Sequence, residues 1–431
     1  MKYGLILVVL LLSSFKISKY NENFDAFSKD FVDGYKALNI PDLELSYITA
    51  LQNIKDTTLI QKQVIFFKSI SSQLNLFHTE QLSPSQKIDY ELIKYETVLN
   101  LERLALEQRW NTNKPAEISS KGIITVPNGK EWYKYLLKRW ISYDVNPDGI
   151  YAFGLKEVAR VQAHIEKIRK QTGLSETDFY KNLNDSSFFI KDPIAVQQSF
   201  EQTKAIVYAN IGKLFNDYVI DDLKIKQGEN KALAQTPGYY DDNTFYYNLF
   251  DKPYNKRQVD WLFIHEAVPG HHFQASVIAH SKLSSVQQLF FYNGFAEGWG
   301  AYSEELGHDL GVYKTAYDEL GKWEWDIVRS VRVPLDIALN YYGWTDEQAL
   351  AFWKKNIRNQ DDIAMREIKR LKRWPAQAIT YKYGALQIIH WKEEVQKQKG
   401  KAFDIKAFHN RILSHGSLPL FLVKENVFAK S

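Results

Sequence analysis

The chain has 431 residues, of which 45% are hydrophobic and 25% are charged, values that are ordinary for globular proteins. This composition excludes disordered, collagen-like and multi-span membrane proteins. Lys and Arg (55) exceed Asp and Glu (51) by only four, without a basic block, so nucleic-acid binding is not predicted. Because the chain contains no cysteine, it forms no disulfide, and only histidine and carboxylate side chains remain as strong metal ligands.

The first residues are typical of a secretory signal peptide. Lys2 is followed by an apolar run over 5–12 and then by Ser13 and Ser14. This run is too short for a bilayer, which needs about 20 apolar residues. We therefore predict a signal peptide over 1–19 and an exported protein, periplasmic or extracellular, with no transmembrane segment after signal cleavage. The lack of cysteine argues against bacterial lipidation, and the oligomeric state stays open.

The sequence patterns beyond residue 20 are mainly helical. Ser83 to Gln86 has the form of a capping box with proline at the first helical position, and Thr345 to Gln348 repeats the signature. Apolar residues at helical spacing over 158–168 precede Gly173, and Ser175 to Asp178 indicates the start of the next helix. These signals predict a helical scaffold and carry no information about function.

One segment departs from the helical pattern. Between Gly238 and Leu249, aromatic residues flank an Asp-Asp-Asn turn, which predicts a short hairpin or edge strand. The polar stretch 227–235 before it resembles a linker. It separates a helical N-terminal part over 20–226 from a part over 236–431 that holds every strong chemical motif. We expect a mainly α fold in which both parts pack as one body, with the hairpin near the site.

The strongest chemical signal is the pair His265-Glu266, which ends an apolar run and is followed by His271-His272. The pattern is similar to the H-E-x-x-H helix of zinc peptidases, but the spacing is longer. In a regular helix His271 would lie about 9 Å along the axis from His265, whereas Zn–N bonds are only about 2 Å long. An undistorted helix therefore cannot place both imidazoles on one metal.

Pro269 offers a solution to this geometry. Proline lacks the N–H that would bond the carbonyl of His265, so the helix must kink or loop there. A bulge over 267–269 brings His271 to the metal and turns His272 away, toward substrate or a supporting carboxylate. We therefore predict His265 and His271 as zinc ligands. A kinked core helix with incidental histidines is the alternative, although burying that many ionisable groups without a partner is costly.

The third ligand is predicted from the segment that follows. Glu297 lies 26 residues beyond His271, which suits a second helix packed beside the first. Its setting resembles the N-E-G-F-x-x-Y stretch that supplies a glutamate ligand in the large zinc aminopeptidases. Glu304 lies two turns further on the same face and could support a ligating histidine, or it could be an ordinary exposed carboxylate. We expect one Zn²⁺ per chain.

Two motifs, H-E-x-x-P-G-H-H at 265–272 and A-E-G-W at 296–299, resemble the bacterial DUF885 family, which is regarded as gluzincin-like metallopeptidases. The resemblance is good from about 150 to 387. Later blocks also resemble the family, in the same order: Arg332–Asp336, Gly343–Thr345, Glu367, Arg370 and Pro375–Lys382. The resemblance implies a zinc peptidase that acts on peptide substrates.

The implied mechanism assigns a role to several side chains. With zinc on the three predicted ligands, the fourth position is left to a water whose pKa falls to about 7. Glu266 is the predicted general base. Tyr381, in the family-like Tyr-Lys block, is the predicted donor to the oxyanion, with Arg370 and Lys382 as further donors and Tyr383 as an alternative.

The sequence also departs from the family pattern. Asn340 stands where the family usually has a histidine, and Ala376 stands in a P-G-Q block. If that histidine serves the oxyanion, activity is reduced here, although an asparagine amide can still donate a hydrogen bond. Two alternatives therefore remain beside the secreted zinc peptidase. One is a catalytically impaired helical binding protein with a structural metal site, and the other is a zinc hydrolase of non-peptide amides.

Overall fold

Helices dominate the computed structural model, which describes residues 23–234 and 236–429. The predicted signal peptide over 1–19 lies outside these residues. The helices are α1 over 23–37, α2 Tyr47–Gln52, α3 Thr57–Leu74, α4 Pro84–Asn113, α5 Gly129–Ile141, α6 Pro147–Thr172, α7 Glu176–Asn182, α8 Pro193–Asn210, α9 Val259–Glu266, α10 His271–Ala279, α11 Asn293–Ser303, α12 Ala316–Ile337, α13 Asp346–Asn356, α14 Asp361–Arg373, α15 Ile379–Lys399, α16 Ile405–Leu413 and α17 Leu420–Phe428. The short strands are β1 Phe189–Ile190, β2 Lys224–Gln227, β3 Gly238–Asp241, β4 Thr244–Tyr247 and β5 Tyr254–Asn255. The prediction of a mainly α fold is confirmed.

Local signals in the sequence set several helix ends. Ser83 and Gln86 form a reciprocal capping box at the start of α4, and Thr345 begins α13 in the same way. Gly173 ends α6 with a φ of 72°, a left-handed conformation that favours glycine. Ser175 accepts a hydrogen bond from the backbone of Asp178 at the start of α7. These predicted helix ends are confirmed. Each end depends only on residues that are neighbours in the chain, so the sequence is sufficient to predict it.

The predicted hairpin is also present. Strand β3 runs antiparallel to β4, and β4 runs parallel to β2, in the order β2-β4-β3. Asp242 and Asn243 make the turn with φ values of 40° and 55°, which asparagine and aspartate tolerate better than most residues. Strand β3 is an edge of this sheet, so one side of its backbone faces groups other than a strand.

The described chain divides into two compact units. The first comprises 23–118 and 282–291, and the second comprises 119–281 and 292–429. The first unit has an aromatic core in which Phe31 contacts both Phe66 and Phe290. Residues 227–234 of the polar stretch lie within the second unit, and the division of the chain at 227–235 stays a prediction.

The core of the second unit is built around α12. The largest side chains of its buried cluster include Trp323 and Trp353, which lie with Val161, Val328 and Ile368 away from solvent. Such burial contributes about 25 cal/mol for each Å² of apolar surface removed from water. None of the helices in the described residues has the length and apolar character that a membrane span requires.

Helices α11 and α15 approach each other closely at two glycines. A Cβ added to Gly298 would lie 2.6 Å from the Cα of Gly384, and one added to Gly384 would lie 2.7 Å from the Cα of Gly298. Larger residues would force the two backbones apart. This contact fixes α11, which carries Glu297, against α15, which carries Tyr381.

Candidate metal centre

The helix that carries His265 ends directly after it. Helix α9 stops at Glu266, and α10 begins at His271, so Pro269 lies in a break between two helices. The predicted interruption is confirmed, but it is not a bulge within one helix. Trp299 Nε1 donates a hydrogen bond of 2.8 Å to the carbonyl of Pro269 and so fixes this connection. A side chain on Gly270 would collide with the carbonyl oxygen of His265, so only glycine fits this close approach.

This break brings the three predicted ligands together. One possible ligand atom from each of His265, His271 and Glu297 lies within 4.8 Å of the others. Glu297 Oε2 is 3.4 Å from Nε2 of His271 and 3.9 Å from Nε2 of His265, and the two imidazole planes cross at 88°. Two ligands of a tetrahedral zinc ion with bonds of about 2.0–2.1 Å lie about 3.3 Å apart, so these separations fit a shared ion.

The electrostatics of the cluster also suit a cation. Burial and the nearby Arg329 lower the pKa of His265 well below its usual value, which leaves a neutral imidazole. Burial opposes ionisation of Glu297, but the hydrogen bond and charge of His271 outweigh it and lower the pKa of Glu297 to about 2. A divalent metal requires neutral imidazoles and an ionised carboxylate, and His265 and Glu297 supply these forms. Burial opposes the charged form of His271, but the hydrogen bond and charge of Glu297 outweigh it and raise the pKa of His271, so His271 must release a proton when an ion binds.

A buried ion pair orients His265. Its Nδ1 lies 2.8 Å from Oε1 of Glu304, and Nη1 of Arg329 donates to the same oxygen at 2.6 Å. With the Nδ1 proton directed at Glu304, the Nε2 lone pair faces Glu297 and the ligand cluster. The structure thus places Glu304 where a supporting carboxylate was predicted. Arg329 was not predicted, although an arginine between apolar residues of a helix is itself a sign of a buried partner.

Gly300 forms the floor of the cluster. A Cβ at this position would lie 2.9 Å from Cε1 of His265 and 3.1 Å from Cε1 of His271. The absence of a side chain at Gly300 therefore leaves room for the two imidazoles, whereas Gly298 leaves room for the neighbouring helix α15.

Glu266 lies beside the cluster without belonging to it. The backbone N–H of Tyr240 in β3 donates to its carboxylate, and burial raises its pKa to about 7. A carboxylate with that pKa can accept a proton near neutral pH. The hairpin and the end of α9 therefore meet at the predicted general base.

His272 turns away from the three ligands. Its side chain is fully buried, its Nε2 lies 2.9 Å from the carbonyl oxygen of Asp221, and its Nδ1 lies 3.3 Å from the hydroxyl of Tyr240. The predicted turn away from the metal agrees with this placement. The partners are a backbone carbonyl and a tyrosine instead of a carboxylate.

Tyr381 lies beside the cluster. Its ring is nearly parallel to that of His265, at 6.4 Å between centroids. Its hydroxyl makes hydrogen bonds with Glu297, Arg370 and Gln377. Burial and the charge of Glu297 raise its pKa to about 12, so the hydroxyl keeps its proton and can donate it in a hydrogen bond.

Lys382 and Asn340 are engaged elsewhere. Lys382 Nζ lies 2.8 Å from each carboxylate oxygen of Asp326 and 3.2 Å from Glu157. Asn340 donates to the carbonyl of Leu371 at 2.9 Å. The structure therefore holds the Lys382 ammonium group between two acids and does not place it as an oxyanion donor.

Comparison with known proteins shows the fold and the family. No curated protein matches the chain. A solved structure, "the putative lipoprotein from Colwellia psychrerythraea", superposes with a TM-score of 0.67 at 24% identity and covers 88% of this chain and 68% of its own. Another, "a putative lipoprotein of unknown function from Shewanella oneidensis", gives 0.72 at 19% identity and covers 94% of this chain and 100% of its own. These similarities establish the fold alone.

The family follows from a longer match in sequence. The model of a family described as "Bacterial protein of unknown function (DUF885)" matches residues 107–427. This range includes the three candidate ligands, Glu266 and Tyr381. Because it spans well over half of the chain, the protein belongs to the DUF885 family.

Proposed function

We propose that this protein is an exported zinc-dependent peptidase. The observation that carries the proposal is the convergence of His265, His271 and Glu297 on one point, with Glu266 beside them. These three side chains would hold the ion, and their mutual distances fit zinc. When bound, zinc acts as a Lewis acid and lowers the pKa of a coordinated water.

The residues around the centre supply the remaining chemistry. Glu266 accepts the proton of the attacking water and delivers it to the leaving amine. The hydroxyl of Tyr381 donates to the oxygen that becomes negative as the carbonyl is attacked. Glu304 and Arg329 hold His265 in its ligating tautomer. Glu266, Tyr381 and Arg329 lie on α9, α15 and α12, and Glu304 directly follows the end of α11, which favours a rigid site.

The edge strand β3 supports a peptide as the substrate. The backbone N–H of Tyr240 donates to the carboxylate of Glu266, so this edge of the sheet runs beside the predicted general base. An extended chain would add to the rest of the edge by main-chain hydrogen bonds. A small amide would gain nothing from such an edge. This strand therefore favours peptides over the non-peptide amides that share the same chemistry.

Export is supported by the apolar run over 5–12 and by the two solved structures described as putative lipoproteins. The chain has no cysteine, so lipidation at a cysteine is not part of the proposal.

Metal analysis and peptide digestion test the proposed function together. We expect about one zinc per chain, and we expect cleavage products when a peptide library is incubated with the protein and analysed by mass spectrometry. The Glu266→Gln variant should keep its zinc and lose at least ~10²-fold in hydrolysis, the scale of a lost general base. The proposal fails if the protein takes up no zinc, or if the variant is as active as wild type. A parallel set of non-peptide amides identifies the alternative substrate class.

A further inference from the structure

Two arginines near Tyr381 share one acidic partner. Arg332 Nε donates to Oε2 of Glu367 at 2.8 Å, and Nη1 of Arg370 lies 3.7 Å from the same oxygen. The other oxygen of Glu367 accepts a hydrogen bond from Arg366 at 2.8 Å. One buried carboxylate therefore faces more than one guanidinium charge, which leaves a positive potential on this side of the centre.

The other acids of the centre do not cancel this charge. Glu304 is paired with Arg329 at 2.6 Å, and Glu297 belongs to the ligand cluster. Asp326 is held by Lys382. An incoming anion would therefore find Arg370 beside Arg332, with Glu367 as the acidic partner that both arginines contact.

Arg370 is the member of this pair that can reach a ligand. Its side chain is 20% exposed, against 4% for Arg332. Trp374 lies under the guanidinium plane, 5.3 Å from ring centroid to Cζ, and Gln377 accepts a hydrogen bond from Nη2 at 2.8 Å. These contacts hold the guanidinium in one orientation before any ligand binds, which lowers the entropic cost of binding.

Arg370 also lies close to the reaction centre. Its Cζ is 6.0 Å from the ring centroid of Tyr381, whose hydroxyl it contacts, and that ring lies over His265. An anion bound by Arg370 is thus separated from the metal ligands by a single side chain. A peptide can present a carboxylate at that distance from the attacked carbonyl, either at its C-terminus or on an aspartate or glutamate side chain.

We propose that Arg370 binds a carboxylate of the substrate beside the reaction centre and so selects peptides with a negative group close to the cleaved bond. Guanidinium and carboxylate form paired, charge-assisted hydrogen bonds, which give both affinity and register. Glu367, which is itself held by Arg332, positions the guanidinium group of Arg370. The proposal deepens the proposed function, and its binding step can be measured without turnover.

Binding is measured by calorimetry on the zinc-loaded Glu266→Gln protein. The probes are an alanine-rich hexapeptide with a free C-terminus, the same peptide amidated, and amidated peptides with glutamate or glutamine at each position in turn. We expect a carboxylate to improve affinity by about 10-fold or more over its neutral counterpart. A difference between the free and amidated peptides assigns the C-terminal carboxylate, and a difference between glutamate and glutamine assigns an acidic side chain.

Two substitutions connect the effect to Arg370. Arg370→Gln should remove the difference in affinity between charged and neutral peptides. Arg370→Lys should retain part of this difference, because lysine keeps the positive charge but lacks the paired N–H donors of a guanidinium group. Arg358→Gln removes an exposed arginine of the same unit and should change nothing. Thermal unfolding checks that each variant is folded. The comparison of charged and neutral peptides on the Glu266→Gln protein keeps Arg370 in place, so it remains valid even if an arginine variant does not fold.

The proposal is overturned if neither carboxylate source improves affinity, or if Arg370→Gln discriminates as well as its parent. Wild-type hydrolysis separates this failure from failure of the proposed function. Equal cleavage of charged and neutral peptides would retain the peptidase and reject the role of Arg370. Selective binding without any cleavage would support the carboxylate site and reject the peptidase.

Discussion

Glu304 and His265 meet through a buried contact of 2.8 Å between Oε1 and Nδ1, although 39 residues separate them in the chain. The same oxygen accepts from Arg329, so one carboxylate both orients the imidazole and neutralises an arginine. We predict that Glu304→Gln lowers zinc affinity by about 10–100-fold, because the amide no longer fixes the tautomer of His265. Chelator competition measures the affinity. Glu305→Gln is the matched control, and equal affinities in the two variants would contradict the prediction.

The two adjacent histidines should behave differently. His271→Ala should abolish zinc retention, because it removes one of the three proposed ligands. His272→Ala should retain zinc and lower the free energy of unfolding by about 1–3 kcal/mol, since the partly buried carbonyl of Asp221 loses its contact with the imidazole. Part of the activity should also be lost, because Tyr240 contacts both His272 and Glu266. Elemental analysis and urea unfolding check both variants, and the reverse pattern in metal content would make His272 the ligand.

Gly300→Ala tests the floor of the cluster. The new methyl group would lie 2.9 Å from Cε1 of His265 and 3.1 Å from Cε1 of His271, so the two imidazoles must move apart. We expect zinc affinity to fall while the fold is retained. Gly212→Ala, where a Cβ meets no atom within 4 Å, is the control for the exchange itself. Unchanged zinc affinity in Gly300→Ala would show that the imidazoles tolerate displacement.

Tyr381→Phe tests the hydroxyl that faces Glu297. We expect kcat to fall by roughly 10–10³-fold with little change in zinc content, if the hydroxyl meets the developing oxyanion. Tyr383→Phe is the control, because its ring packs against Tyr143 and Phe153, at 6.1 Å and 5.7 Å between centroids. A larger loss in Tyr383→Phe would reassign the donor.

Asp336 should make stability depend on pH. Its Oδ1 accepts from Tyr133 at 2.7 Å and from the backbone of Ala376 at 2.9 Å, while its Oδ2 is buried without a hydrogen-bond partner among the described residues. Burial is the main cause that raises its pKa to about 7. The folded state therefore binds this proton more tightly than the unfolded state, whose aspartate pKa is about 3.9.

The free energy of unfolding contributed by this group is complete below about pH 4 and is lost as the pH rises through about 7. The slope is at most about 1.4 kcal/mol per pH unit. Asp336→Asn cannot ionise, so its unfolding free energy should fall less between pH 5 and pH 7 than that of the wild type. Urea unfolding at both pH values measures this difference. The exposed Asp144→Asn is the control, and parallel pH profiles for wild type and Asp336→Asn would refute the assignment.

Local patterns in the sequence determined the helix starts at Ser83 and Thr345, the hairpin at Asp242-Asn243 and the break at Pro269. Each depends on backbone preferences and on hydrogen bonds between neighbours, so a few adjacent residues are sufficient. The spacing around Pro269 also indicated His271 as the partner of His265. The residue types alone restricted the candidate metal ligands to histidine and carboxylates.

Only the tertiary structure decided which distant charges meet. Arg329 reaches Glu304 across 25 residues, Arg332 reaches Glu367 across 35, and Lys382 reaches Asp326 across 56. The sequence around Lys382 does not show whether its ammonium group contacts a substrate or a buried aspartate. The partner of Lys382 depends on how α6, α12 and α15 pack, because a buried charge must pair with an opposite charge that the packed helices bring close to it.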